Sequence, residues 1–136
     1  MSMNAYRNLL PEQKAEIEAE IIKRNWDRAL SGWHHAKADY AAIIFPVEDD
    51  ICDYHTDVRF YMTIRLLLSP APTAADMAAK VAAYIDEEID RAPDDVQEQC
   101  RRAMQADCAR FGLPGTAIPI GETGKDLGQY VGLPIP

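Results

Sequence analysis

The stretch Glu48-Asp49-Asp50-Ile51-Cys52-Asp53-Tyr54-His55, with Asp57 just beyond it, gathers the densest set of chemically capable side chains in this sequence. Cys52 and His55 stand three apart and Asp49 and Asp53 four apart, so on a helix each pair shares a face and two ligands could reach one metal ion. His34 or His35 could join from a preceding helix packed alongside. The candidate set for a metal centre or an enzyme is therefore His34, Cys52, Asp53 and His55. A closed zinc site needs four ligands, and no second Cys-x-x-His or His-x-x-x-His element occurs. The ordinary role of such a run is an acidic helix start facing the positive end of the helix dipole, with Cys52 as a small core residue. His34 and His35 point to adjacent faces, and neither has an identifiable carboxylate partner of the kind a general base needs. No catalytic residue, metal or cofactor is expected.

One other segment invites a chemical reading. Gly121-Glu122-Thr123-Gly124-Lys125-Asp126 superficially resembles a phosphate loop. That loop needs G-x-x-x-x-G-K followed by Ser or Thr, but Pro119 stands at the first glycine and Asp126 where a hydroxyl should hold magnesium. It is rejected.

Positioning elements come next, and the pattern is helical throughout. Pro11 suits a first helical turn, with Glu12 and Glu16 near the positive dipole end. Ala15, Ala19, Ile22, Trp26, Ala29, Trp33, Ala36, Tyr40 and Ile43 then recur at alternating spacings of four and three, a heptad seam. This predicts a helix over 11–45, long enough to need a partner along most of its length. After Phe45-Pro46 the seam resumes as Val47, Ile51, Tyr54, Val58, Tyr61 and Leu68, with Arg65 the one mismatch, predicting a helix over 47–69. Two arrangements fit: a turn at Pro46 with the second helix packed antiparallel on the first, or one kinked helix. The hairpin is favoured because it lets a single chain bury its own aromatics.

A stiff corner follows at Ser69-Pro70-Ala71-Pro72, whose prolines lack backbone donors and push their predecessors out of helical geometry. Thr73 is a suitable N-cap with Asp76 as a short capping-box partner, and the helix over 73–91 should bury Met77, Val81, Tyr84, Ile85 and Ile89. A last helix over 94–111 should bury Val96, Cys100, Ala103, Met104, Cys108 and Phe111, with Gly112 as its stop. Six of the seven glycines and four of the nine prolines fall in 112–136, which excludes a regular helix there. That segment still carries Leu113, Ile118, Ile120, Leu127, Tyr130, Val131, Leu133 and Ile135, so it reads as an extended strap docked on the bundle or on a neighbour.

Charge and composition narrow the partners. A net charge of −8 argues against non-specific binding to DNA or to anionic membrane, both of which need a basic footprint. Residues 47–92 carry four basic and ten acidic side chains, so most of the acidity sits mid-chain. Three cysteines without framework spacing suit a reducing cytoplasm. The N-terminus shows no basic region followed by an apolar core, and no apolar run approaches the ~20 residues a bilayer span needs.

Trp26-x-x-Ala29-Leu30, then Leu66-Leu67-Leu68-Ser69-Pro70-Ala71-Pro72-Thr73, Met77-Ala78-Ala79-Lys80 and finally Asp107-Cys108-Ala109-Arg110 together form a pattern. It resembles small uncharacterised helical proteins from phage-like and mobile regions of alphaproteobacterial genomes. The resemblance spans roughly 22–111 and implies a setting and a helical fold but no activity. The expected architecture is all-α: one helical domain over 1–111, built as a long helical hairpin plus a shorter helix pair in a bundle or coiled-coil-like arrangement, and the strap over 112–136. The expected function is a non-enzymatic interaction or assembly protein, cytoplasmic, working with a protein partner or as a homo-oligomer through Ile17, Ile21, Ile22, Trp26, Tyr130 and Leu133. One alternative is an acidic inhibitor that imitates nucleic acid on a host protein, which carboxylates and phenols on one outer face would favour. The other is the metal protein or enzyme, which convergence of His34, Cys52, Asp53 and His55 would favour.

Overall fold

The computed structural model describes residues 3–112, so the strap beyond Gly112, with Tyr130 and Leu133, lies outside the described residues. Within them the chain is all-α: α1 (Met3–Arg7), α2 (Pro11–Ala41), α3 (Asp49–Leu68), α4 (Met77–Asp86) and α5 (Asp94–Phe111), with 3₁₀ turns at Ala74–Asp76 and Ile89–Arg91. No strand occurs among the described residues.

The start of the chain contains α1. It folds back on α2, where the Tyr6 hydroxyl donates to Glu18 at 2.6 Å and the Lys14 ammonium lies 5.6 Å from the Tyr6 ring centre. Pro11 opens α2, and the Gln13 side-chain oxygen accepts the otherwise orphaned Leu10 N–H at 2.9 Å. α2 ends at Ala41, four residues short of the expected 45, because the turn into α3 already begins at Ala42.

The second long helix returns antiparallel to the first. Arg59 of α3 lies over Tyr40 at 5.0 Å, and a side chain at Gly32 would meet the Met62 sulfur at 3.1 Å. Asn25 borders a groove with Leu68, near the end of α3. Pairing that runs backwards along one partner as it runs forwards along the other makes Pro46 part of a turn, not a kink. Close approach at Gly32 suits a residue without a side chain. With 31 residues, α2 is about 46 Å long; α3, with 20, is about 30 Å. The first three turns of α2 therefore extend past the end of α3.

Helices α4 and α5 close the core over the middle of this hairpin. Trp26, Ala29, Trp33 and Ala36 of α2 are buried, as the seam predicts, and the first three form one core with Leu66 and Leu67 of α3, Met77, Val81 and Tyr84 of α4, and Cys100, Met104 and Cys108 of α5. The Thr73–Asp76 box forms in both directions, with Asp76 accepting the Thr73 N–H at 3.2 Å and Thr73 Oγ1 accepting the Asp76 N–H at 3.3 Å. It caps a single 3₁₀ turn, from which α4 starts at Met77. The helix expected over 73–91 is in fact broken. Glu88 adopts a left-handed conformation (φ 50°, ψ 48°), which ends the α4 ladder and swings Ile89 into the core at 0% exposure. Pro93 and then Asp94 and Asp95 begin α5, and Gly112 (φ 67°) stops it.

Candidate functional site

The candidate metal set does not come together. His34 is exposed on α2, its ring 5.1 Å from that of Trp33, while His55 packs edge-on against Tyr54 with centroids 5.3 Å apart. Asp53 is exposed and Cys52 half-buried one turn from the start of α3. Among the described residues no group of three or more His, Cys, Asp or Glu side chains is placed to hold a metal ion.

Among the described residues, the fully buried charges lie elsewhere, around the proline corner. The Lys80 ammonium on α4 pairs with the Asp107 carboxylate on α5, their side chains 0% and 1% exposed, and also donates to the Leu67 carbonyl at 3.0 Å. Asp107 accepts the Ala71 N–H at 3.2 Å and a hydrogen bond from Arg110 at 2.7 Å; Arg110 in turn donates to the Ala71 carbonyl at 2.7 Å. The logic starts with the prolines. Pro70 and Pro72 have no N–H, so Ala71 carries the only amide between Ser69 and Thr73 and, once buried, needs partners for both its groups. Asp107 and Arg110 supply them. Leu67 sits in the last turn of α3, where carbonyls lack helical partners, and Lys80 caps it. Burial pushes the Lys80 ammonium below its usual pKa, with Asp107 and the hydrogen bond opposing. The Trp26 ring, 5.8 Å from the Lys80 nitrogen, adds a cation–π contact. At 0% exposure this lysine holds three elements together.

What the fold leaves outward is a seam on α3. Ile51, Tyr54, Val58, Tyr61, Arg65 and Leu68 follow heptad spacing, and Ile51, Tyr54, Tyr61 and Leu68 are 42%, 63%, 70% and 41% exposed. The core-facing residues of the same helix are Thr63, Leu66 and Leu67, with Phe60 packed against them. At 3.6 residues per turn the two sets lie on opposite sides of the helix. The seam expected to pack inward on α2 thus faces solvent, while the matching seam of α2 packs inward over residues 26–36. Tyr61, Arg65, Leu68 and Pro70, with Asn25 of α2, line an open groove of about 550 Å³ at one end of it. Asp50, Asp53 and Asp57 are exposed along one flank.

The other expected interface residues divide. Ile21 is 51% exposed and Ile17 and Ile22 are half-buried, all on the N-terminal reach of α2. Trp26 is corrected to a core residue, 2% exposed, because it packs into the shared core and the Lys80 side chain of α4 lies over its ring. Among the described residues no helix is long and apolar enough to cross a membrane. No family model, curated protein or solved structure matches the chain.

Proposed function

We propose that the chain is a non-enzymatic helical interaction protein, a component of an assembly of the kind that phage-like and mobile elements encode, and that it works through the outer face of α3. The observation that carries this is the row of large apolar and aromatic side chains at heptad spacing opposite the core. Such side chains stand outside the core that the described residues form, and contiguous apolar patches of this sort mark association surfaces. Tyrosine is also enriched at the centres of interfaces. Oxidative labelling of Tyr54 and Tyr61 tests the reading, on the full chain at high concentration and in extract of the source cell. Labelling of both residues several-fold slower than in the urea-unfolded chain is expected. Full reactivity in both settings overturns it.

A second reading has its own observation. Tyr54 and Tyr61 share an outer face with the carboxylates Asp50, Asp53 and Asp57, the arrangement an acidic imitation of nucleic acid would present. It predicts binding to a basic nucleic-acid-binding protein that DNA displaces and that weakens steeply with added salt.

A further inference from the structure

We infer that the outer seam of α3 is an isologous interface that pairs antiparallel with the same seam of a second copy of this chain. The inference rests on the interaction reading above and names the partner. A two-fold axis crossing α3 between Arg59 and Phe60 sets Ile51 against Leu68 of the second copy, Tyr54 against Arg65, and Val58 against Tyr61; each contact occurs twice, as two-fold symmetry requires. Every one of these meetings is complementary. Ile51 with Leu68 is aliphatic on aliphatic, and Val58 with Tyr61 lays a branched side chain on an aromatic face. Tyr54 with Arg65 places a guanidinium over a ring, the same kind of contact that Arg59 already makes with Tyr40 within the chain at 5.0 Å.

This register also accounts for Arg65, the one residue that interrupts the apolar seam. A parallel pairing would set Arg65 on Arg65, opposing like charges at the heart of the contact. The flanks agree with the antiparallel choice: His55 falls beside Met62, and Asp57 beside Ile64, so no carboxylate meets a carboxylate along the seam. The groove lined by Tyr61, Arg65 and Leu68 lies where Tyr54 of the second copy would enter. Tyr54, at 63% exposure, projects far enough to fill it.

Sedimentation equilibrium of the full chain at micromolar concentrations tests the proposal, with circular dichroism confirming helicity of each variant. The wild-type chain should dimerise. Tyr61→Glu and Arg65→Glu, both on the outer face and away from the core, should each raise the dissociation constant about 30-fold or more, as loss of a central contact does. The decisive variant is the double substitution Tyr54→Lys with Arg65→Glu, which rebuilds two opposite-charge pairs only in the antiparallel register. It should recover at least a tenfold tighter dimer than Arg65→Glu alone. No recovery overturns the register, and a dimer indifferent to Tyr61→Glu overturns the surface. A monomeric wild-type chain overturns the self-pairing, whether residues 113–136 or another protein then covers the seam. In that last case continued protection of Tyr54 and Tyr61 from oxidation would leave the interaction reading standing without this partner.

Discussion

Lys80 and Asp107 show how unequal two halves of a buried ion pair can be. Asp107 keeps Arg110 and the Ala71 amide if Lys80 is lost, whereas Lys80 without Asp107 keeps a neutral carbonyl and the Trp26 ring but no opposite charge. Asp107→Asn should therefore cost about 3–5 kcal/mol, the range for an uncompensated buried charge. Lys80→Met should cost nearer 1–2 kcal/mol, since it removes the ammonium and leaves one carbonyl unpaired. Urea denaturation of the two variants checks the order, and equal costs would show that the charge is not what the site responds to. A second expectation concerns alkaline pH. Burial pushes the Cys100 thiol up to about 11 from 9.0, and pushes Cys108 and Tyr84 in the same direction. The folded chain holds these protons where the unfolded chain has released them. Stability should thus fall as pH rises from about 9 towards 11, by of the order of 2 kcal/mol from Cys100 alone. Lys80, depressed by burial, contributes in the opposite sense over the alkaline range but is one group against three. Urea midpoints between pH 8 and 11 should decline, and the decline should be shallower in Cys100→Ala. None of this was visible as a cluster in the sequence, where Lys80 and Asp107 stand 27 positions apart. The only signal was the pair of prolines that leaves Ala71 needing partners.

Element by element, legibility followed how one-sided each helix is. The α2 seam and the buried faces of α4 and α5 were readable because their apolar residues lie on one stripe. α3 was misread because apolar residues run nearly all round it, and periodicity cannot choose between two apolar faces. The face that won contains Thr63, whose hydroxyl is satisfied by the Arg59 carbonyl at 2.8 Å and so tolerates full burial. The break at Glu88 was equally hidden, since left-handed residues usually announce themselves as glycine or asparagine. It should respond to substitution accordingly. Glu88→Gly should stabilise the chain by roughly 0.5–1 kcal/mol by relieving the left-handed strain of an exposed residue. Loss of the exposed contact to Arg91 at 3.4 Å should offset little of that. A chemical denaturation series comparing Gly and Ala at this position checks it, with Ala expected to give no gain.

For the whole molecule, the sign of the salt response separates the readings of the outer α3 face. Two copies each carrying −8 repel one another at long range. Screening should therefore tighten self-association as sodium chloride rises from low to physiological concentration and above. Capture of a basic partner would weaken over the same range. Sedimentation at three salt concentrations distinguishes the two, and the sequence alone could not, because it shows net charge but not which apolar residues the core leaves over.

The proline corner also carries a kinetic meaning. Ala71 finds both its partners 36 and 39 positions later, at Asp107 and Arg110, and Lys80 ties the same carboxylate to the end of α3. Three helices are thus fastened at one point that forms only when the last of them docks. α3, α4 and α5 should accordingly open together, as one cooperative unit of unfolding. The first turns of α2 have α1 beside them, through Tyr6 and Glu18, and lie beyond the end of α3. Native-state hydrogen exchange should show the amides of α3–α5 converging on a single opening free energy, with the first three turns of α2 exchanging well before them. A chain built this way would breathe at its N-terminal arm while its other three helices remain locked.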